Sequence, residues 1–145
     1  MKEKEAGKGA NPPISYTDRP TLLVVMADPP VRNTVATYLR RCGMEVTETA
    51  NADEALRPSL KYEAVLTELN IAGTMDGFSL AQRIQQHRPE VPVVLSLSYR
   101  YLAHDAGKLR QHFPMLRRRY DQATLRRRLD IAIRRSRRVA SALPI

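Results

Sequence analysis

The side chain best placed to do chemistry is a single carboxylate, Glu68, inside residues 64–77, AVLTELNIAGTMDG. Ala64, Val65, Leu66 and Leu69 make the near-continuous apolar run expected of a strand buried on both faces of a parallel sheet. Glu68 falls at the carboxyl end of that strand, and the chain runs on through a Gly-containing loop. Open α/β sheets place their chemistry in the crevice outside the carboxyl ends of the strands. An acidic residue there is either a functional group or the remnant of one.

The elements that must position Glu68 follow from pattern. Thr21–Ala27, TLLVVMA, reads as a first buried strand. Asp28 is expected to cap the following helix, with Pro29 and Pro30 in its first turn. Val31, Val35, Tyr38, Leu39 and Cys42 lie along one side of that helix, which stops at Gly43. Glu45–Ala50 is a second strand whose polar content places it at an edge. Asn51 caps a short helix that Pro58 cuts off. After the Glu68 strand, Asp76 starts a helix through Phe78, Ala81 and Ile84 that Pro89 ends. Val91–Leu97 is a fourth strand, with Pro92 near its start. Leu102, Ala106, Leu109 and Phe113 fall at helical spacing, and Pro114–Arg118 reads as a fifth strand. Asp121 caps a last helix to about Ala140, with Leu125, Leu129, Ala132, Ile133 and Ser136 as its inward stripe. Strands alternating with helices in this way predict an α/β fold with a doubly wound, five-stranded parallel sheet.

One domain accounts for the 145 residues. Residues 1–20, rich in Lys, Glu, Gly and Pro, are expected to form a flexible tail, residues 21–137 the domain, and residues 138–145 a C-terminal extension. No apolar run approaches a membrane span and the start lacks a signal-peptide core, so a cytoplasmic protein that does not engage membranes is expected. Cys42, at an apolar helical position, is expected to be inert and buried. Net charge is uneven: residues 1–99 hold 11 Lys+Arg against 12 Asp+Glu, whereas residues 100–145 hold 13 against 3.

Residues 64–77 resemble the receiver domain of two-component response regulators, in which a strand of this kind ends in a phosphate-accepting aspartate and a loop leads to Met-Asp-Gly before the next helix. Glu68 stands at the aspartate, and Met75-Asp76-Gly77 keeps the motif. The resemblance spans Thr21 to about Arg135 and implies a flavodoxin-like (CheY-like) receiver fold. It also implies two adjacent acids at the end of the first strand that hold Mg²⁺ for phosphoryl transfer. Gapless alignment puts Met26 and Ala27 there, and neither can bind that ion. Asp28 is one position late and reads as a cap. Ser96 matches the family's hydroxyl residue. Arg118 stands for its lysine, Arg119 for the proline after it, and Met115 for the switching aromatic. The resemblance therefore implies a pseudo-receiver without catalytic residues, metal or cofactor, its degenerate phosphorylation site marked by Glu68, Ser96, Arg118, Met26 and Ala27. One expectation is a lock in which Glu68 pairs with Arg118, Ser96 donating to it. Two charges about 4 Å apart near a surface attract by roughly 4 kcal/mol before desolvation is subtracted. The alternatives are a solvent-facing Glu68 in a decayed site and residual phosphotransfer through Glu68 or another acceptor.

Function is then expected from the last helix, which carries Arg126, Arg127, Arg128, Arg134, Arg135, Arg137 and Arg138. In one reading it forms, with the preceding helix and fifth strand, a partner face centred on Ile131 and built from Arg126, Arg127, Arg134 and Arg135. The resemblance suggests a histidine kinase, a phosphotransferase, another regulator or a second copy of the chain as partner. In the other reading the arginines contact nucleic-acid phosphates. Against that stand the lack of a helix-turn-helix unit, of zinc-ligand spacing and of aromatics that could stack bases; His87, His104 and His112 have no Cys partners. A merely solvated arginine face is the third reading.

Overall fold

The computed structural model describes residues 18–97, 113–117 and 120–142. Its strands are β1 (Thr21–Val25), β2 (Glu45–Thr49), β3 (Ala64–Glu68), β4 (Val93–Leu97) and β5 (Met115–Arg117). Its helices, in chain order among these residues, are α1 (Pro29–Arg41), α2 (Ala52–Ala55), α3 (Gly77–His87) and α4 (Gln122–Ala142). All strand pairs are parallel, in the order β2-β1-β3-β4-β5. This is the expected parallel α/β receiver fold, with the polar β2 at an edge. Expected helical residues 102–112, the N-terminal tail to residue 17, and Arg118 and Arg119 lie outside the described residues.

Alternation along the strands sorts the core into two layers. Leu23, Val25, Val65, Val93, Leu95 and Leu97 face α2 and α3, joined by Leu80, Ala81 and Ile84. Leu22, Val24, Met26, Ala64, Leu66, Val94 and Leu116 face α1 and α4, joined by Tyr38, Leu39, Leu125, Leu129 and Ile133. β3 and β4 are fully buried apart from Glu68, which is why their sequences read as apolar runs rather than alternations. Cys42 is a buried free thiol.

Caps at Asn51, Asp76 and Asp121 form as their sequence positions predict. Each side chain accepts from the amide three residues on, at 2.9, 2.8 and 2.7 Å respectively. The bond from Thr124 also holds the Asp121 carboxyl below its ordinary pKa. Asp28 corrects the expectation: it occupies the cap position of α1, but its side chain makes no capping bond. Pro30 removes one of the amides such a cap would use, so the helix start rests on the fixed φ of its prolines instead. Pro92 lies just before β4 and, lacking a donor, still accepts from the Val65 amide at 3.0 Å.

α2 is stunted to four residues, and side chains close the frayed chain after it. Tyr62 donates to the Ala55 carbonyl at 3.0 Å, and Arg88 donates to the Leu60 carbonyl at 2.9 Å while lying 4.6 Å above the Tyr62 ring. Burial pushes the Tyr62 phenol up, with the Arg88 charge opposing. A raised folded-state pKa means that the stability is intact below the unfolded tyrosine value of about 10 and is lost as pH rises toward the folded one. Tyr62→Phe is expected to lose about 1 kcal/mol at neutral pH and to flatten the alkaline decline. Urea unfolding at about pH 8 and about pH 10.5 reads both effects.

Candidate functional site

Strand register assembles the site. Val25 pairs with Thr67, which puts Met26 at the level of Glu68, and Glu68 pairs with Ser96. Parity places all three side chains on the α1 and α4 side of the sheet, since Val24, Leu66 and Val94 belong to that layer. Met26, Glu68 and Ser96 therefore form a row across three adjacent strands at the carboxyl rim. Met26 and Ser96 are buried, Glu68 is half-buried and engaged in a polar interaction, and Ala27 is exposed. The expected Arg118 partner lies outside the described residues.

Backbone contacts fix the Glu68 end of β3. Leu69 N–H donates to the Ser96 carbonyl at 3.1 Å, Gly77 N–H donates to the Leu69 carbonyl at 2.7 Å, and Thr67 Oγ1 donates to the Glu68 carbonyl at 2.9 Å. The loop that follows is tied sideways, with Ala72 N–H donating to the Ala50 carbonyl at 3.0 Å. α3 starts so close to β3 that a Cβ on Gly77 would lie 2.0 Å from the Glu68 carbonyl oxygen. The glycine in Met75-Asp76-Gly77 is thus a close-approach residue.

A cation stands where the sequence offered no reason to look. Arg32, in the first turns of α1, donates through one terminal nitrogen to the Met26 carbonyl at 2.9 Å, and its Nε lies 3.3 Å from Glu48 on β2. Arg40 binds the other Glu48 oxygen at 3.1 Å. The guanidinium rests on the Met26 backbone, a charge-assisted bond that ties α1 to both strands. Arg32→Ala removes a donor from Met26 and a partner from a Glu48 that is 21% exposed. A loss of about 1–3 kcal/mol is expected in denaturant unfolding. A change under about 0.5 kcal/mol would show the contact to be energetically idle.

Mg²⁺ takes hard oxygen ligands in octahedral geometry, so the buried thioether of Met26 and the methyl of Ala27 do not fit it. Among the described residues, no three His, Cys, Asp or Glu side chains stand close enough to hold a metal ion. No helix among them is long and apolar enough to cross a membrane.

The family model of the response regulator receiver domain matches residues 22–108, more than half of the chain. The chain belongs to that family. This receiver of two-component signalling resembles solved structures across most of its length. A signal receiver domain of an HD domain-containing protein from Pseudomonas fluorescens superposes with a TM-score of 0.78 at 19% identity, covering 90% of this chain and 98% of that one. A receiver domain protein from Clostridium thermocellum gives 0.73 at 18%, covering 83% and 98%. NtrX from Brucella abortus gives 0.75 at 23%, covering 86% of this receiver but 30% of NtrX. At such identities the likeness carries the fold. No curated protein sequence matches the chain.

Of the residues expected at the receiver's partner face, Ile131 is exposed as the pattern predicts, and so are Arg127 and Arg135. Arg126 is half-buried on the inner side of α4, and Arg134 spends its Nε on Asp130 at 2.7 Å. Arg137 is bound within the domain: it forms a two-pronged pair with Glu63, one prong at 2.8 Å, while the neighbouring Ser136 donates to the Glu90 carbonyl at 2.8 Å. These bonds tie α4 to the approaches of β3 and β4. Sequence spacing could not reveal them, because their partners are 74 and 46 residues away.

Proposed function

We propose that this receiver is a pseudo-receiver that signals by phosphorylation-independent protein–protein interaction. The observation that carries the reading is that the end of β1 presents Met26, packed into the core, and the exposed Ala27, neither an oxygen ligand, at the positions where the resemblance calls for the two metal acids. Without them, no bound metal ion neutralises the charge that phosphoryl transfer builds on a carboxylate. Glu68 then stands in for the acceptor aspartate, one methylene longer, and its carboxylate reaches toward the place of an aspartyl phosphate's oxygens. Pairing of Glu68 with Arg118, with Ser96 as donor, would hold the domain in one conformation, an arrangement arginine can make bidentate. The protein is accordingly not an enzyme. It acts in the cytoplasm by occupying a docking face on a histidine kinase, a phosphotransferase or another regulator.

The test is incubation of the purified protein with Mg²⁺ and acetyl phosphate, followed by intact mass spectrometry. No added phosphoryl mass is expected, and a stable gain of one phosphoryl group would overturn the reading. For the pairing, Glu68→Ala and Arg118→Ala should each lower the unfolding midpoint, and the double variant should cost less than the sum. Strict additivity would remove the lock and leave the pseudo-receiver standing.

A further inference from the structure

β2 is an edge of the sheet, and backbone parity fixes which of its polar groups face outward. Glu45 N–H donates to the Pro20 carbonyl at 2.9 Å, and the Thr49 carbonyl accepts from Met26 N–H at 3.1 Å. Residues 45, 47 and 49 therefore turn their amides and carbonyls toward β1, while Val46 and Glu48 turn theirs away from the sheet. A strand reading Glu-Val-Thr-Glu-Thr, with no proline, lysine or glycine to interrupt it, is a template for another strand. Arg40 closes it. From the last turn of α1 it donates through one terminal nitrogen to the outward Val46 carbonyl at 2.8 Å, and sets the other 3.1 Å from a Glu48 oxygen. The second Glu48 oxygen lies 3.3 Å from Arg32 Nε, so the carboxylate that braces Arg40 is itself held.

We infer that the β2 edge is a self-association site held shut by Arg40: with the guanidinium withdrawn, two copies of the chain join β2 to β2, antiparallel, in one continuous sheet. A neighbouring strand lies about 4.8 Å away and brings an amide nitrogen to the place where Arg40 now puts its own, so the arginine and an incoming strand cannot share the Val46 carbonyl. The occupant is a second copy because the strand complements itself. Turned about Thr47, β2 sets Val46 opposite the second copy's Glu48 and Glu45 opposite its Thr49. Each outward amide and carbonyl of Val46 and Glu48 then finds a partner, and no two carboxylates face each other directly. Glu48 stays countered by Arg32 when Arg40 leaves. Thr47 is exposed and meets its own counterpart on the two-fold axis, a favourable pair across strands. The inference stands apart from phosphoryl chemistry, since neither Arg40 nor Val46 belongs to the row of Met26, Glu68 and Ser96.

Sedimentation velocity of the full chain is the test. Arg40→Ala is expected to associate at least about tenfold more tightly than the wild type, approaching a dimer mass at concentrations where the wild type stays a monomer. Arg40→Met keeps the aliphatic stem and removes the donors, and should associate in the same way even where the alanine variant melts lower. Adding Thr47→Lys to either variant sets lysine against lysine on the two-fold axis and should return it to a monomer, at little cost to the fold because residue 47 is exposed. Hydrogen exchange gives a second readout: the Val46 and Glu48 amides of Arg40→Ala should exchange about tenfold more slowly in concentrated than in dilute solution. A folded Arg40 variant that stays monomeric, or dimers that survive Thr47→Lys, would overturn the inference. Wild-type dimers dissolved by Thr47→Lys would show that Arg40 does not shut the edge. A monomeric Arg40→Ala that instead binds a synthetic extended peptide of alternating Val and Thr would give the edge to a partner strand, and self-association would fall.

Discussion

Gly77→Ala is expected to destabilise the domain by about 3 kcal/mol, the upper part of the range for forcing extra atoms into a packed region. A propensity argument gives the opposite sign, because alanine is favoured over glycine in a helix by up to about 1 kcal/mol. Geometry decides. The added methyl would sit 2.0 Å from the Glu68 carbonyl oxygen, 2.9 Å from its carbon and 3.0 Å from Leu69 Cα, all of them backbone atoms that cannot rotate away. β3 is hydrogen-bonded to β1 on one side and β4 on the other, so the strand cannot yield and the start of α3 must tilt outward. The Gly77 to Leu69 bond would lengthen with it. Gly73→Ala is the control, for there the new Cβ meets nothing nearer than Asn51 Cβ at 3.8 Å and the strain comes from φ of +97° alone. About 1–2 kcal/mol is expected at that position. Urea unfolding of the two variants measures the difference, and equal effects would mean that α3 adapts freely.

The same contact shows what the sequence discloses. Apolar runs gave β1, β3 and β4 because strands covered on both faces have no polar side to alternate with. The caps at Asn51, Asp76 and Asp121 were legible because a cap is a local bond between residues three apart, and Asp28 misled because its neighbours Pro29 and Pro30 alter that local chemistry. Met26, Glu68 and Ser96 were grouped by the resemblance to receivers alone, and it is the strand register and the parity of a parallel sheet that carry the three side chains to one face. Arg32, Arg88 and Arg137 were not legible. Their partners, the Met26 and Leu60 carbonyls and Glu63, are set by how helices cross the sheet, and a long flexible cation gives no periodic signal of which acceptor it will find. An arginine count therefore overstated the free charge of the last helix.

Met26→Asp is expected to cost at least about 3 kcal/mol at neutral pH, combining the loss of a buried side chain with the burial of a carboxylate. Met26 has no exposed surface, packs with Leu22, Val24 and Leu66, and lies level with Glu68 on the neighbouring strand. Burial and a like charge both push the introduced carboxyl's pKa up, so the penalty should shrink as pH falls through that raised value and grow as pH rises. Thermal midpoints at about pH 5 and about pH 8 would show the slope. Adding Ala27→Asp and Glu68→Asp converts the rim into a set of hard oxygen ligands, and the triple variant should then gain stability with Mg²⁺ by about 1.4 kcal/mol at ten times its dissociation constant. The wild type should gain nothing from the same titration. Stabilisation of the wild type by millimolar Mg²⁺ would contradict the reading of Met26 and Ala27 as replacements that removed the metal. A triple variant indifferent to Mg²⁺ would mean that Arg32, held on the Met26 carbonyl by Glu48, keeps a divalent cation out by charge, and Arg32→Ala in that background should then restore the response.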